Sequence, residues 1–237
     1  MASRRVGGKE DGRRGRPSRR SQITGWRACV TERNEGFACH TGSMWVFLVA
    51  IGLSAPPEFT HVRVQHDCNL FRGPVESDGV ATMLAECHWR DVEPATLIAL
   101  LEDYENYDEL IFAIESSVSW GKEPEGEGTL VLQRQSARGI APREVLVRMT
   151  TEVLDEGIRV AWETADHPDF VLSDDAVRTK RNEGSWLVTT HPEGGSQIAH
   201  RVAYHPGGMV PSWLVRWASV GGLMQAMGDI RERAAGR

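Results

Sequence analysis

Hydrophobic and polar residues alternate with a period of two along most of the chain between about residues 62 and 204. This period is typical of strands that bury one face and expose the other to water. Val147 and Met149 share one face of such a segment, whereas Glu144 and Arg148 share the other. The pattern therefore predicts an antiparallel sheet with one wet face.

Turn residues divide the alternating region into successive strands. The first two strands are predicted at 62–71 and 79–90, and a helix over 94–107 follows them. Pro94 suits the first turn of that helix because its missing N–H removes no helical hydrogen bond. The later strands are predicted at 112–120, 130–135, 144–154, 158–162, 176–180, 185–191 and 197–204.

A long helix is predicted after Pro211, which suits a first helical position. Five large apolar residues then recur at steps of four, three, four and three, and form one stripe: Trp213, Trp217, Val220, Met224 and Met227. This stripe is the pattern of ordinary core packing. Gly221 and Gly228 lie close to it, where they leave room for a ligand or a moving gate.

Strands, one helix, a long meander and a final helix together predict an α+β fold. A strongly curved antiparallel sheet with the final helix along its concave side buries both apolar faces against each other. Any space left between sheet and helix is a hydrophobic cavity.

The first 59 residues differ in composition from the rest of the chain. Residues 1–43 are rich in Arg, Gly and Ser and predict a disordered basic tail, either an arm for an acidic partner or dispensable. Residues 44–55 form an uncharged apolar run, too short to span a bilayer but as long as a signal-peptide core. Export to the periplasm or the medium is one prediction, and a cytoplasmic protein is the other. Residues 44–59 then link to a domain at 60–235.

The charge of the chain argues against nucleic acid as its main partner. The formal net charge is −6, but residues 1–43 carry +6 and the remainder carries −12. Phosphate binding depends on clustered Lys and Arg, which an acidic domain lacks.

The four cysteines are Cys29, Cys39, Cys68 and Cys87, and none forms a C-x-x-C pair. Metal binding through cysteine is therefore not predicted. Cys68 and Cys87 lie in two successive predicted strands. They are either a disulfide, if the compartment is oxidising, or two free buried thiols.

Known catalytic spacings are absent from the sequence. It contains no H-E-x-x-H metal motif, no G-x-S-x-G nucleophile elbow and no phosphate-binding glycine loop. We therefore predict no catalytic residue, no metal and no cofactor. His200 alternates with Ile198 and Val202, so it either reaches the cavity or is a hydrogen-bonded structural histidine.

Four short motifs in order resemble START domains, the steroidogenic-acute-regulatory-related lipid-transfer family of the helix-grip (SRPBCC) superfamily, and the resemblance covers about residues 70–233. They are Pro142-Arg143-Glu144, Val177-Arg178, Trp186 followed by His191-Pro192, and a Gly-x-x-Pro segment from Gly208 to Leu214. The resemblance implies a tunnel between the sheet and the final helix that holds one lipid, with transient membrane contact and no chemistry. Two rivals stay open: a polyketide cyclase of the same superfamily, and an interaction-only domain.

The resemblance, combined with the alternation, predicts two groups of site residues. The gate group is Gly139, Ile140, Pro142 and Gly221. The alternation places Val147 and Met149 on the cavity side, so we assign no arginine of that strand to the tunnel. Arg178 is predicted either to meet a lipid head group or to form a structural ion pair. The ligand-binding group is Trp120, Leu132, Val147, Met149, Trp162, Arg178, Trp186, His200, Trp217 and Met224.

Overall fold

The computed structural model describes residues 55–122, 128–137, 139–210 and 212–236, without the side chains of residues 122 and 212–219. The predicted tail at 1–43, nearly all of the apolar run at 44–55 and Pro211 lie outside these residues. The side chains of Trp213 and Trp217 lie outside them as well.

Ten strands and a few helices make up the described part of the chain. The strands are β1 (Thr60–Gln65), β2 (Cys68–Val75), β3 (Ala81–Trp89), β4 (Ile114–Lys122), β5 (Thr129–Gln135), β6 (Arg143–Val153), β7 (Ile158–Thr164), β8 (Val177–Arg178), β9 (Arg181–Thr190) and β10 (Ser196–His205). The helices are α1 (Pro94–Glu102), a 3₁₀ turn (Tyr104–Asn106), α2 (Tyr107–Leu110) and α3 (Ser212–Ala234).

The sheet is antiparallel with the order β1-β2-β3-β10-β9-β7-β6-β5-β4. Strand β8 is an exception, because its two residues pair in parallel with Arg143 and Glu144 of β6. Its shortness differs from the prediction of a full strand over 176–180. Helix α1 follows β3 and leads across to β4, so the chain builds one edge of the sheet first and then returns from the other edge.

Side chains alternate between the two faces of the sheet, and the two faces have different surroundings. The inner face packs against α3 and α1, and its buried residues include Leu70, Val147, Met149, Val160 and Ile198. The outer face has a second, smaller apolar cluster of Leu130, Leu146, Ala165 and Phe170 beneath the segment before β8. The prediction of a single buried face was therefore incomplete.

A turn splits the predicted first strand into β1 and β2. His66 and Asp67 both have positive φ angles, 54° and 55°, which reverse the chain between Gln65 and Cys68. Cys68 then pairs directly with Cys87 across β2 and β3, and the two form a disulfide with Cα atoms 4.0 Å apart. The structure therefore has the bonded alternative of the two that the sequence left open.

The second half of α3 is fixed firmly to the sheet. Met224, Met227 and Ile230 are almost fully buried, as the stripe predicted for the first two. Arg231 forms ion pairs with Asp67 at 2.7 Å and Asp91 at 3.1 Å. Among the described residues no helix combines the length and the apolar character needed to cross a bilayer.

The two glycines singled out in α3 have different surroundings. A Cβ atom on Gly228 would lie 3.0 Å from the His66 ring, so the β1–β2 turn uses the space that this glycine leaves. Gly221 is exposed, and a Cβ atom there would meet nothing within 4 Å. Gly221, which was predicted as a gate residue, therefore faces solvent and not the interior.

We expect Gly228→Leu to lower the free energy of unfolding by about 1–3 kcal/mol, because a larger side chain must displace His66. Gly221→Leu is the matched control at the same kind of helical position. It should be neutral or stabilising by up to about 1 kcal/mol, since it improves helix propensity in open space. Urea unfolding measures both values. Equal losses in the two variants would contradict these different surroundings.

Candidate functional site

A cavity of about 260 Å³ opens at the end of the sheet where the chain enters α3. Val75 and Ala81 line one side of it, and residues 205–208 together with Val210 line another. Met83, a buried residue of the inner face, and Val220 of α3 also line it. The cavity thus leads from the surface to the core beneath α3.

Apolar side chains stand exposed beside the mouth of this cavity. Val75 is 59% exposed and Met209 is fully exposed. Such side chains suit contact with an apolar surface or ligand. Arg72 and Asp78 contribute charge to the same mouth.

A polar cluster lies on the inner face near this end of the sheet, and consists of Arg143, Thr179 and Tyr204. Arg143 is only 5% exposed and lies on the same face of β6 as Val147 and Met149, because the pairing of β6 with β5 continues without a bulge. The guanidinium donates a hydrogen bond to the carbonyl oxygen of Ala141.

Two atoms of the cluster are buried without a hydrogen-bond partner: Nε of Arg143 and the hydroxyl oxygen of Thr179. The Thr179 hydroxyl lies near the Tyr204 hydroxyl but outside hydrogen-bonding geometry. Burial raises the pKa of Tyr204, while Thr179 and the charge of Arg143 act in the opposite direction. A buried polar group without a hydrogen-bond partner lowers the stability of the fold, and these groups have donors free for further acceptors.

His200 lies at the centre of the inner face between two indole rings. Its ring centroid is 3.7 Å from that of Trp186 and 5.7 Å from that of Trp162, and both pairs are stacked. Its Nδ1 lies 3.2 Å from the carbonyl oxygen of Ser185, to which it donates as the Nδ1–H tautomer. Burial lowers the pKa of His200 to about 3, so the ring is neutral at physiological pH.

His88, His191 and Glu193 are the described residues whose ligand atoms lie close enough together to hold a metal ion. The two imidazole rings stack with centroids 3.5 Å apart, so their in-plane lone pairs do not converge on one point. His88 Nε2 is 3.0 Å from the carbonyl oxygen of Gly194, and His191 Nδ1 accepts the N–H of Glu193 at 3.1 Å. These contacts stabilise the β9–β10 turn, and metal binding would require both rings to turn.

Comparison by sequence finds limited similarity. No family model matches the chain. An uncharacterised protein of Pseudomonas aeruginosa is 25% identical over 99 residues, which are 41% of this chain and 48% of that protein. The chain therefore spans about half the length of the curated relative that it matches.

Comparison by structure finds similar folds in solved lipid-transfer proteins. The STAR-related lipid transfer protein of Xanthomonas axonopodis matches with a TM-score of 0.65 and 18% identity, over 75% of this chain and 98% of that one. Human STARD10 matches with a TM-score of 0.68 and 17% identity, over 76% of this chain and 74% of that one. Human StAR-related lipid transfer protein 5 matches with a TM-score of 0.65 and 12% identity, over 76% of this chain and 87% of that one. The chain has the START fold.

Six of the predicted ligand-binding residues lie on the inner face of this START fold. They are Val147, Met149, Trp162, Trp186 and His200 on the sheet, and Met224 on α3. Trp217 lies in α3, but its side chain is outside the part of the chain that the structure describes. These positions agree with the alternation along β6, β7, β9 and β10.

Three predicted ligand-binding residues lie on the outer face instead. Leu132 packs against the outer cluster, because its neighbour Val131 is the inward residue of β5. Trp120 is 39% exposed and contacts the rings of His167 and Phe170. The sequence placed both inside because it gave no sign of a second apolar cluster on the other face.

Arg178 is the third outer-face residue. It pairs with Asp166, and its guanidinium carbon lies 4.8 Å from the centre of the Phe170 ring. Its side chain is 45% exposed. The structural ion pair, one of the two predicted alternatives for Arg178, is therefore the arrangement observed.

The inward arginine that the sequence did not assign is Arg143. The signal was present, because Arg143 is two residues before Val145 and shares its parity. The prediction began the alternation at Glu144, the charged residue next to it. Glu144 faces outward and accepts a hydrogen bond from Arg134 at 2.8 Å.

The predicted gate residues Gly139, Ile140 and Pro142 lie in the loop before β6. Gly139 has a φ of 83° with open space around it, and Ile140 is half-buried. The carbonyl oxygen of Pro142 accepts the N–H of Val177 at 2.8 Å, which ties the end of this loop to β8. The loop thus contacts Arg143 through Ala141 and β8 through Pro142.

A second cavity, of about 360 Å³, lies at the surface between β1 and α3. Its lining is mostly polar and includes Arg63, Gln65, Asp229 and Glu232, and Gly221 belongs to it. This groove does not suit an apolar ligand.

We expect protonation of His200 to make stability depend on pH. Its folded pKa of about 3 lies below the ordinary 6.5, so between these values only the unfolded chain binds the proton. Stability should therefore fall as pH falls from 6.5, by up to about 1.4 kcal/mol per pH unit. His200→Phe keeps an aromatic ring and removes this titration.

Urea unfolding of the wild type and His200→Phe at pH 7, 6 and 5 measures the difference in slope. The range ends at pH 5 because several carboxyl groups with lowered pKa lose their charge at more acidic pH: Glu76, Asp78, Glu144 and Asp175. Parallel slopes for the two proteins would contradict a neutral buried His200.

Proposed function

We propose that the chain binds one hydrophobic or amphipathic small molecule between the inner face of the sheet and α3, without catalysing a reaction on it. The observation that carries this proposal is the cavity at the entry to α3, which leads from exposed Val75 to buried Met83. A path from the surface to apolar side chains of the core is the arrangement that uptake of such a molecule requires.

Burial of apolar surface supplies the driving force. At about 25 cal/mol per Å², burying about 300 Å² of ligand surface contributes about 7 kcal/mol before the cost of association. The cavity volume of about 260 Å³ is below the lower end of ordinary ligand sites, which is about 300 Å³, and a volume this small is what an interaction-only domain would have. Ligand binding here therefore requires a small molecule, or one end of a longer lipid whose remainder lies outside.

Lipid transfer is the finer form of this proposal. Proteins with the same fold carry that activity in their names, among them the Xanthomonas axonopodis and human proteins. The exposed apolar side chains beside the mouth suit transient contact with a membrane during exchange.

The two rival functions make different demands on the site. A cyclase needs a polar side chain presented to its substrate; His200 lies between two indoles with Nδ1 bound to Ser185, so in a cyclase that role would fall to the inward Arg143. An interaction-only domain would have an inner face filled by its own side chains. Trp162 and Trp186 do fill part of that face, whereas Trp120 lies on the outer face.

We expect the natively purified protein to contain a hydrophobic molecule that solvent extraction and mass spectrometry detect. Val220→Trp should reduce its amount about ten-fold or more, because the larger ring fills the cavity that Val220 lines. Val118→Trp is the matched control, since Val118 is 52% exposed on the outer side of β4.

Three outcomes would contradict ligand binding in this cavity. An empty wild-type protein with no measurable uptake of added lipid would favour the interaction-only domain. Turnover of an aromatic polyketide that His200→Ala abolishes would favour the cyclase. Equal ligand content in Val220→Trp and the wild type would place the ligand elsewhere.

We also propose that the protein is exported and acts outside the cytoplasm. The Cys68–Cys87 disulfide supports this, because disulfides persist in oxidising compartments and are rare in the cytosol. The apolar run at residues 44–55 has the length of a signal-peptide core.

Mass spectrometry of the protein from its native cells should find a mature N-terminus beyond residue 55 and a mass two hydrogens below the reduced form. A mature protein that begins upstream of Met44, with both thiols open to alkylation, would contradict export.

A further inference from the structure

We propose that the bound molecule carries an anionic group, a carboxylate or a phosphate, and that Arg143 pairs with that group inside the protein. This proposal rests on the proposed ligand binding and names the class of ligand. It adds a polar site to what would otherwise be an apolar cavity.

The first observation is a charge without a counterion. Arg143 is 5% exposed, and no carboxylate of the described residues lies within ion-pair distance of it. Its recorded hydrogen bond goes to a neutral acceptor, the carbonyl oxygen of Ala141. Charged side chains are seldom buried unless they are paired, so the uncompensated charge indicates an anion that comes from elsewhere.

Other arginines of the sheet provide the contrast. Arg134, Arg148, Arg178 and Arg181 are each less deeply buried than Arg143, and each has a carboxylate partner. Arg134 alone contacts three carboxylates: Glu115, Glu144 and Asp175. Among the described residues, each of these outward arginines therefore has an acidic partner, and the inward Arg143 has none.

The second observation is that unpaired hydrogen-bonding groups lie near the guanidinium. Arg143 Nε and the Thr179 hydroxyl are buried without partners, and the Tyr204 hydroxyl lies close to both residues. Burial raises the pKa of Tyr204, so its hydroxyl keeps the proton that it would donate. An anion accepts hydrogen bonds from all three groups, whereas an alcohol or an ester satisfies fewer of them.

The third observation is the position of the cluster beside the cavity. Tyr204 directly precedes His205, which lines the cavity. Gly208 also lines it, and a Cβ atom on Gly208 would lie 3.1 Å from Val177, the residue of β8 that pairs with Arg143. The cluster therefore lies next to residues that line the cavity, and the proposal requires the polar end of a bound molecule to pass from the cavity to the cluster.

The test compares anionic probes with their neutral counterparts at pH 7.5. Oleic acid and methyl oleate form the carboxylate pair, and lysophosphatidic acid and monoolein form the phosphate pair. Equilibrium dialysis of the full chain should give at least one anionic probe an affinity about ten-fold or more above its neutral counterpart, as expected for a charge-assisted hydrogen bond. The pair with the larger ratio identifies the head group.

The deciding variant is Arg143→Met, which keeps the length of the side chain and removes its charge. We expect it to abolish the preference for the anion while the affinity for the neutral probe changes less than two-fold. Arg143→Lys should retain a reduced preference. Arg148→Met, on the outer face of the same strand, is the matched control and should keep the full preference.

Stability measurements separate ligand binding from a structural role. Without ligand, Arg143→Met should have a melting temperature equal to or above that of the wild type, because an uncompensated buried charge is removed. The opposite result is that Arg143→Met melts several degrees below the wild type and loses its affinity for the anionic and the neutral probe alike. That result would show that Arg143 stabilises the fold, and it would overturn the proposal. Equal affinity of the wild type for all four probes would overturn it too, and would leave the proposed function in place. No binding of any probe would overturn both.

Discussion

The packing of Met224, Met227 and Ile230 against the inner face of the sheet fixes the positions of the other elements. A nine-strand antiparallel path has a large apolar face that it cannot cover by itself, and α3 is the longest element available to cover it. Helix α1 and its short successors complete the cover. Ion pairs from Arg231 to the β1–β2 turn and to the start of α1 then hold α3 in place along its second half.

Polar residues are unevenly distributed over this covered face. Around the second half of α3 the contacts are apolar, and the Cys68–Cys87 disulfide joins the neighbouring strands there. At the end where the chain enters α3, Arg143, Thr179 and Tyr204 lie inward, with two buried atoms unpaired. A face selected only for packing would not place an arginine inside without an acid. The described part of the covered face therefore has an apolar region beside the second half of α3 and a polar region near its start.

The outer face explains why apolar residues alone were a poor guide to the site. Leu130, Leu146 and Phe170 form a second cluster beneath the segment that carries Asp166 and Asp175. This cluster accounts for Trp120, Leu132 and Arg178, which were assigned to the interior. Nearby ion pairs, such as Arg134 with Glu144, hold the same segment against the sheet. The START fold therefore has apolar residues on both faces here, and the cavity at the entry to α3 includes Met83 of the inner face.

The sequence by itself determined the α+β order, most strand positions, the long final helix and the inward direction of Val147, Met149 and His200. Local periodicity carries that information, because a strand repeats every two residues and a helix every 3.6. The tertiary structure decided which apolar residues share a core, that the turn at His66 uses the space at Gly228, and that Arg143 lies inside without an acid. Those facts depend on neighbours far apart in the chain, such as Phe170 beside Trp120 or Tyr204 beside Arg143, and no local pattern contains them.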